Sequence, residues 1–277
     1  MDNHLNVRWA INSRSWIPTR DEIIAALSYI QTEEQQRILK YVYLDDAKST
    51  MLGRLMLRKY VHYATSIPYN EIRFGRDDHG KPYMIGPDGS SVNFNISHQG
   101  DFVVLAGDTQ RKVGIDVMKI EAPANKNIQD FFRLMKSQFS KQEWTSILSH
   151  NSERDQVACF YRLWCLKESY VKNIGVGITI PLSEISFCLK TPKLRVGEMV
   201  SDTTLYQNDV LEKGWLFEET LLDEKHTVAV SLQVDKDNRP LEYKLITFKD
   251  LVEGAKSLCE PNITMAEDFL KKENKSF

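Results

Sequence analysis

Val113-Gly114-Ile115-Asp116-Val117-Met118 reads as a β-strand. Alternation puts Val113, Ile115 and Val117 on one face and Gly114, Asp116 and Met118 on the other. Aspartate is disfavoured inside strands and is rarely buried without a partner. Asp116 therefore sits at an exposed strand end, caps a neighbouring turn, or serves a function. Further on, Asp155 to Ile174 has the helical period, with Val157, Phe160, Tyr161, Trp164, Val171 and Ile174 forming one apolar stripe. Glu168 falls on that stripe. A carboxylate facing a core needs a cation or a metal. Lys172, one turn on, offers an internal helix pair, and Lys167 is adjacent in sequence.

Working outward, Asn6 to Ile11 reads as a first strand, and Asp45 to Ala64 as a long helix with Ala47, Met51, Leu55, Met56 and Tyr60 at helical spacing. Its other face carries Lys48, Arg54, Arg58 and Lys59 and reads as solvated surface. Ile72 to Gly89 is turn-rich. Val92 to Ser97 alternates, and the tight link His98-Gln99-Gly100-Asp101 makes it a hairpin with Phe102 to Ala106. Helices are expected near Ile128 to Lys136 and Ser140 to Ser149. Strands are expected at Glu184 to Leu189, Trp215 to Thr220 and His226 to Val234. Capping boxes are read at Thr32–Gln35, Ser140–Glu143 and Thr264–Glu267. Helices mixed with short strands make the chain α+β, without a clear sequence repeat.

The chain has 277 residues, ordinary globular composition and a formal net charge of -2, which tells against a nucleic-acid binder. Cys159, Cys165, Cys188 and Cys259 form no C-x-x-C pair, so a zinc knuckle or redox pair is not expected. The start, Met1-Asp2-Asn3-His4, lacks a secretory pattern, and no apolar run spans a bilayer. A cytoplasmic protein is the expectation. Asp116 and Glu168, one on a strand and one on a helix, can converge on a hard cation. Oxygen ligands without His or Cys select magnesium or manganese, which leave positions for substrate phosphates. The residues alone do not name the substrate.

The order Phe94-Asn95-Ile96-Ser97-His98, then Gly114-Ile115-Asp116-Val117, then Trp164-Cys165-Leu166-Lys167-Glu168-Ser169 with Lys172, resembles the 4′-phosphopantetheinyl transferases. It is similar to the larger class that activates peptide synthetases and aminoadipate reductases, and Gly114 to Lys119 resembles the animal cytosolic members especially. The resemblance covers most of the chain. It implies two similar α+β halves with the active site in the cleft between them: residues 1–112, then 113–240 carrying the carboxylates, followed by a C-terminal tail over 241–277. It also implies a monomer, CoA as donor, magnesium as cofactor, and as acceptor a serine of an apo carrier protein of the fatty-acid synthase or aminoadipate-semialdehyde dehydrogenase type. Adenosine 3′,5′-bisphosphate would leave. Carried onto matching positions, Asp116 and Glu168 resemble the metal ligands, and Glu168 and Lys172 the catalytic pair. Arg37, the stretch from Arg76 to Lys81, Asn95, Ile96, Ser97 and His98 match places where the family contacts CoA. Many bacterial members read Asp-x-Glu on the metal strand. Here the third position is Met118, a poor ligand for magnesium, so water or the amide oxygen of Gln99 would complete the shell.

Two rival readings remain. A CoA-dependent acyltransferase would use His-x-x-x-Asp, but Asp101 follows His98 one residue early. A CoA-binding or carrier-binding module without turnover would have no need of both carboxylates and Lys172.

Overall fold

A computed structural model describes residues 5–78, 80–86, 92–123, 127–175, 180–234 and 239–274. The chain forms two compact units, one of residues through Gln110 together with Lys244 onward, the other Arg111–Tyr243. Both mix helices and sheets, as the sequence pattern implies. Among the described residues no helix is long and apolar enough to cross a membrane.

The first unit opens with β1 (Asn6–Asn12), α1 (Arg20–Ser28), α2 (Thr32–Leu39) and α3 (Leu44–Thr65). Thr19 caps α1 with Glu22 in a reciprocal box that sequence reading missed. The box expected at Thr32–Gln35 lies one residue earlier, since the backbone N–H of Gln31 donates to Glu34 at 3.2 Å. Gln35 instead is buried and donates to the carbonyl of Leu27 at 2.7 Å. Hairpins β2 (Arg73–Arg76)/β3 (Pro82–Ile85) and β4 (Asn93–Gln99)/β5 (Phe102–Asp108) follow. The first of these stands where only turns were expected. The Gly86-Pro87 turn signal and Gly89 reach outside the described residues.

The apolar stripe of α3 is fully buried, as its spacing implies. Its basic face is not solvated, contrary to expectation. Arg58 is wholly buried, donates to the carbonyls of Tyr69 (3.3 Å) and Ile72 (2.6 Å), and lies over the rings of Tyr69 and Phe74. Lys48 is buried too, and burial lowers its pKa.

The second unit centres on β6 (Val113–Lys119). Next come α4 (Ile128–Leu134), α5 (Lys141–Leu148) and α6 (Glu153–Ile174), then β7 (Ile185–Cys188), β8 (Thr204–Gln207), β9 (Val210–Glu212), β10 (Trp215–Asp223) and β11 (His226–Gln233). The strands make two antiparallel sheets, β10-β11-β6 and β7-β8-β9. Ser140 caps α5 with Glu143 as expected. The β8–β9 hairpin was not expected, although Asn208-Asp209 carries its signal. Both residues adopt positive φ, at 50° and 62°, a region that Asn and Asp tolerate. Helix α6 lies against β6 and β11, and its stripe residues join an aromatic core with Phe132, Phe139 and Trp144.

The chain then returns to the first unit as β12 (Lys244–Leu245), α7 (Phe248–Val252) and α8 (Ile263–Leu270). Within the stretch expected as a tail, 241–277, residues 244–274 are therefore part of the first unit. β12 pairs in parallel with β1, completing the sheet β12-β1-β5-β4, while α7 and α8 pack on α3. Asn262, not Thr264, caps α8, accepting from the amide of Met265.

Gly114 sets the approach of α6 to β6. A Cβ there would lie 2.0 Å from the carbonyl oxygen of Ser169 and 2.5 Å from the amide nitrogen of Asn173. Both obstacles are backbone, so the helix itself would have to retreat. Gly114→Ala should therefore lower stability by about 3 kcal/mol, the upper part of the range for overpacking. Chemical denaturation followed by circular dichroism reads this as a lower midpoint, and an unchanged midpoint contradicts the contact.

Candidate active site

Asp116 lies at the middle of β6 in register with Ala229 and is nearly buried. Its carboxylate Oδ1 is 2.6 Å from Lys172 Nζ. Further hydrogen bonds hold α6 on this sheet. Cys165 Sγ donates to the carbonyl of Asp116 at 3.1 Å, and Ser231 Oγ donates to the carbonyl of Ser169 at 2.8 Å. Asn173 Nδ2 donates to the carbonyls of Lys112 (3.2 Å) and Ser231 (2.7 Å). These contacts fix the rotation and height of the helix between Cys165 and Asn173, and with them Glu168 and Lys172.

Glu168 is half-buried. Burial raises its pKa, the negative charge of Asp116 raises it further, and Lys172 pulls the other way. The internal helix pair that sequence reading left open is replaced by a cross-link, because Lys172 reaches to Asp116 on the strand. Lys172 thus pairs with Asp116, while Glu168 feels the charges of both from a partly buried position. The oxygens of Asp116 and Glu168 are donors of the kind that suit a hard divalent cation. Among the described residues no group of three or more His, Cys, Asp and Glu is placed to hold a metal. Met118, next but one to Asp116, is partly buried against the hydrophobic core. Gln99 is the exposed last residue of β4, in the first unit. Lys167 turns into the core, where its Nζ meets Glu143 at 2.9 Å and donates to the carbonyls of Leu182 and Ile185. Sequence reading did not single out that buried pair.

The first unit holds a cavity of about 390 Å³ lined by Glu34, Arg37, Thr50, Arg54, Phe74 and Arg76, among others. Arg37 is in the last turn of α2. Arg76 ends β2 and donates to the carbonyl of Gly80 at 2.5 Å. Burial lowers the Arg76 pKa, and the charge of Arg37 lowers it further. Of the described first-unit residues matched to CoA contacts, only Arg37 and Arg76 line this cavity. Lys81 sits at the β2–β3 turn, its amide donating to Asp77 Oδ1 at 2.8 Å. Asn95 and Ser97 are buried in β4, Ile96 packs against the first unit's core, and His98 is exposed. Arg54 was missed because its face of α3 reads as solvated.

The chain belongs to the 4′-phosphopantetheinyl transferase family: residues 14–110 match its N-terminal domain and residues 112–231 the 4′-phosphopantetheinyl transferase superfamily. Over 266 residues it is 41% identical to the L-aminoadipate-semialdehyde dehydrogenase-phosphopantetheinyl transferase of Homo sapiens, covering 90% of this chain and 86% of that protein. The Xenopus laevis protein of the same name is 39% identical, covering 90% and 87%. The 4′-phosphopantetheinyl transferase Sfp of Bacillus subtilis is 33% identical over 160 residues, 58% of this chain and 66% of that protein.

The raised pKa of Glu168 has a measurable sign. A carboxyl that holds its proton more tightly when folded makes the folded state lose stability as pH rises from the unfolded value, about 4.3, through the folded one. Glu168→Gln removes that loss. In divalent-free buffer the variant should be more stable than wild type at neutral pH, with the advantage vanishing below about pH 4. Urea midpoints across pH measure the difference, and a variant less stable at neutral pH would contradict the assignment.

Proposed function

We propose that this transferase moves the 4′-phosphopantetheine arm of CoA onto a serine of an apo carrier domain at a magnesium-dependent site built on Asp116, Glu168 and Lys172. The serine oxygen forms a bond to the pantetheine-side phosphorus. The pyrophosphate bridge breaks, adenosine 3′,5′-bisphosphate departs with the bridging oxygen, and the serine proton goes to a base. The observation that carries this reading is the Asp116–Lys172 pair at 2.6 Å with Glu168 under the influence of both charges, on elements within the stretch that matches the superfamily. Asp116 and Glu168 would hold the magnesium, which when bound supplies a hard Lewis acid for the pyrophosphate oxygens. Lys172 places a cation where negative charge grows on the leaving phosphate. Glu168, its basicity increased by burial and by Asp116, is the carboxylate suited to receive the serine proton, directly or through a water. Arg37, Arg76, Lys81 and the β4 segment Asn95–His98 serve the donor's phosphates. Carrier domains of fatty-acid synthases and of aminoadipate-semialdehyde dehydrogenases are the acceptors, and the enzyme works as a cytoplasmic monomer.

Mass spectrometry of an apo carrier incubated with the chain, CoA and magnesium tests the reaction. A phosphopantetheine adduct on serine with release of adenosine bisphosphate is expected; release of free CoA instead would favour an acyltransferase. Asp116→Ala and Glu168→Ala should abolish transfer. Lys172→Ala should reduce kcat by roughly 10²-fold or more while changing the CoA KM much less, because its charge matters most in the transition state. A Lys172→Ala enzyme with normal kcat and a raised KM would move that residue from chemistry to ground-state binding.

A further inference from the structure

We infer that Lys272, near the far end of the chain, is a positioning residue: together with Glu273 it clamps the connection from α2 to α3 and so fixes the place of Arg37. The inference rests on the reading that Arg37 serves the donor. Both clamp residues lie beyond the stretches matched to the family, 14–110 and 112–231.

The connection, Lys40 to Tyr43, has little of its own to hold it. None of residues 40–43 adopts positive φ, so α2 lacks the left-handed stop that commonly closes a helix. Its C-cap is Lys40, at φ -74° and ψ -17°. At the other end Tyr43, the N-cap of α3, supplies no side-chain cap. Helix ends leave backbone groups that need partners from elsewhere. The C-terminal segment provides them at both ends. Lys272 Nζ donates to the carbonyl of Leu39, the last residue of α2, at 2.8 Å, and to that of Tyr41 at 2.5 Å. A cation in this position also suits the negative end of the helix dipole. The carbonyl of Glu273 accepts from the amide of Leu44, the first residue of α3, at 2.8 Å, and Tyr43 bridges Glu273 in parallel.

The clamp is itself firmly seated. Ala266 and Phe269 of α8 are buried in the first unit's core, with Met265 and Leu270 packed against it. Ahead of α8, Cys259 Sγ lies 3.1 Å from Gln35 Nε2 and ties the same stretch of chain to α2. The clamp matters at the cavity because Arg37 is exposed, in the last turn of α2. Its charge acts on both Arg54 and Arg76, lowering the pKa of each, and Tyr41 acts on the same two arginines in the opposite sense. An exposed arginine repelled by two others stays ready for an anion only if its backbone is held. Lys272 is not among the described residues that line the cavity, so its effect passes through the α2 backbone. Holding a binding group in place beforehand lowers the ordering cost of binding and leaves the chemical step alone.

The test compares Lys272→Met and Lys272→Arg with wild type, each as the full chain. Calorimetry gives the CoA Kd, turnover with an apo carrier gives kcat and KM, and hydrogen exchange follows the amides of residues 37–44. Lys272→Met should raise the CoA Kd and KM roughly fivefold, as loss of a charge-assisted bond implies. It should keep kcat within about twofold, since the chemical step is untouched. Exchange at 37–44 should quicken. Lys272→Arg, which can still donate to both carbonyls, should restore the Kd and the slow exchange. Should Lys272→Met not fold, Lys272→Gln takes its place, with a smaller shift in the same direction. A variant with a lower melting midpoint but wild-type CoA Kd would make Lys272 a structural staple and overturn the inference. So would a loss that Lys272→Arg does not repair, or unchanged exchange at 37–44. If wild type binds CoA without transferring from it, the proposed reaction fails, and the Kd and exchange still decide the inference. If wild type does not bind CoA, both fail.

Discussion

At position 114 the chain leaves out a side chain because the backbone of α6 occupies its place. The carbonyl of Ser169 and the amide of Asn173 stand where a Cβ at Gly114 would have to lie. This seating turns a strand aspartate and a helix lysine into partners at 2.6 Å and brings Glu168 under the influence of Asp116. The bonds from Cys165, Asn173 and Ser231 keep the helix from sliding. The fully buried Lys167–Glu143 pair anchors the opposite side of the same turn. Side chains held from two sides can be placed to within tenths of an ångström, as charge stabilisation during phosphoryl transfer requires.

Both units gather charged side chains in small regions. In the second, Lys172 meets Asp116 at 2.6 Å, and Glu168 feels both charges. In the first, three cavity guanidiniums answer chiefly to Glu34. The formal net charge of -2 conceals both. A protein folding for stability alone gains little from such clusters, since burying charge is costly unless it is matched. On the proposed reading, these clusters would meet their counter-charges in a magnesium-bound polyphosphate ester.

How much of this was legible in the sequence depended on distance along the chain. The strand from Val113 and the stripe of α6 are local patterns, and both were found close to their observed bounds. Asp116 and Glu168 stood out because each broke its own element's pattern. The direction taken by Lys172 was not legible, since an i,i+4 partner and a partner across the sheet look alike in one dimension. The basic face of α3 was misread for the same reason. Part of what covers that helix is α7 and α8, about two hundred residues downstream, and no local window reports such a neighbour. Capping boxes were reliable where reciprocal hydrogen bonds formed, at Ser140, and misleading at Thr264, where Asn262 competes for the same role.

The pairing of β12 with β1 has a consequence for how the protein is made. The second unit is one uninterrupted stretch of chain, inserted between the two pieces of the first. On a ribosome the first 110 residues emerge without the strand that covers the β1 edge or the helices that cover α3. At ordinary elongation rates they wait roughly ten to thirty seconds for those pieces. Through that interval the inserted unit can complete its own core, while the earlier one exposes apolar surface of the kind chaperones hold. Vectorial synthesis thus reverses the order of the sequence: the half that begins last finishes first, and the N-terminal half closes only when the amide of Ile246 reaches the carbonyl of Ala10.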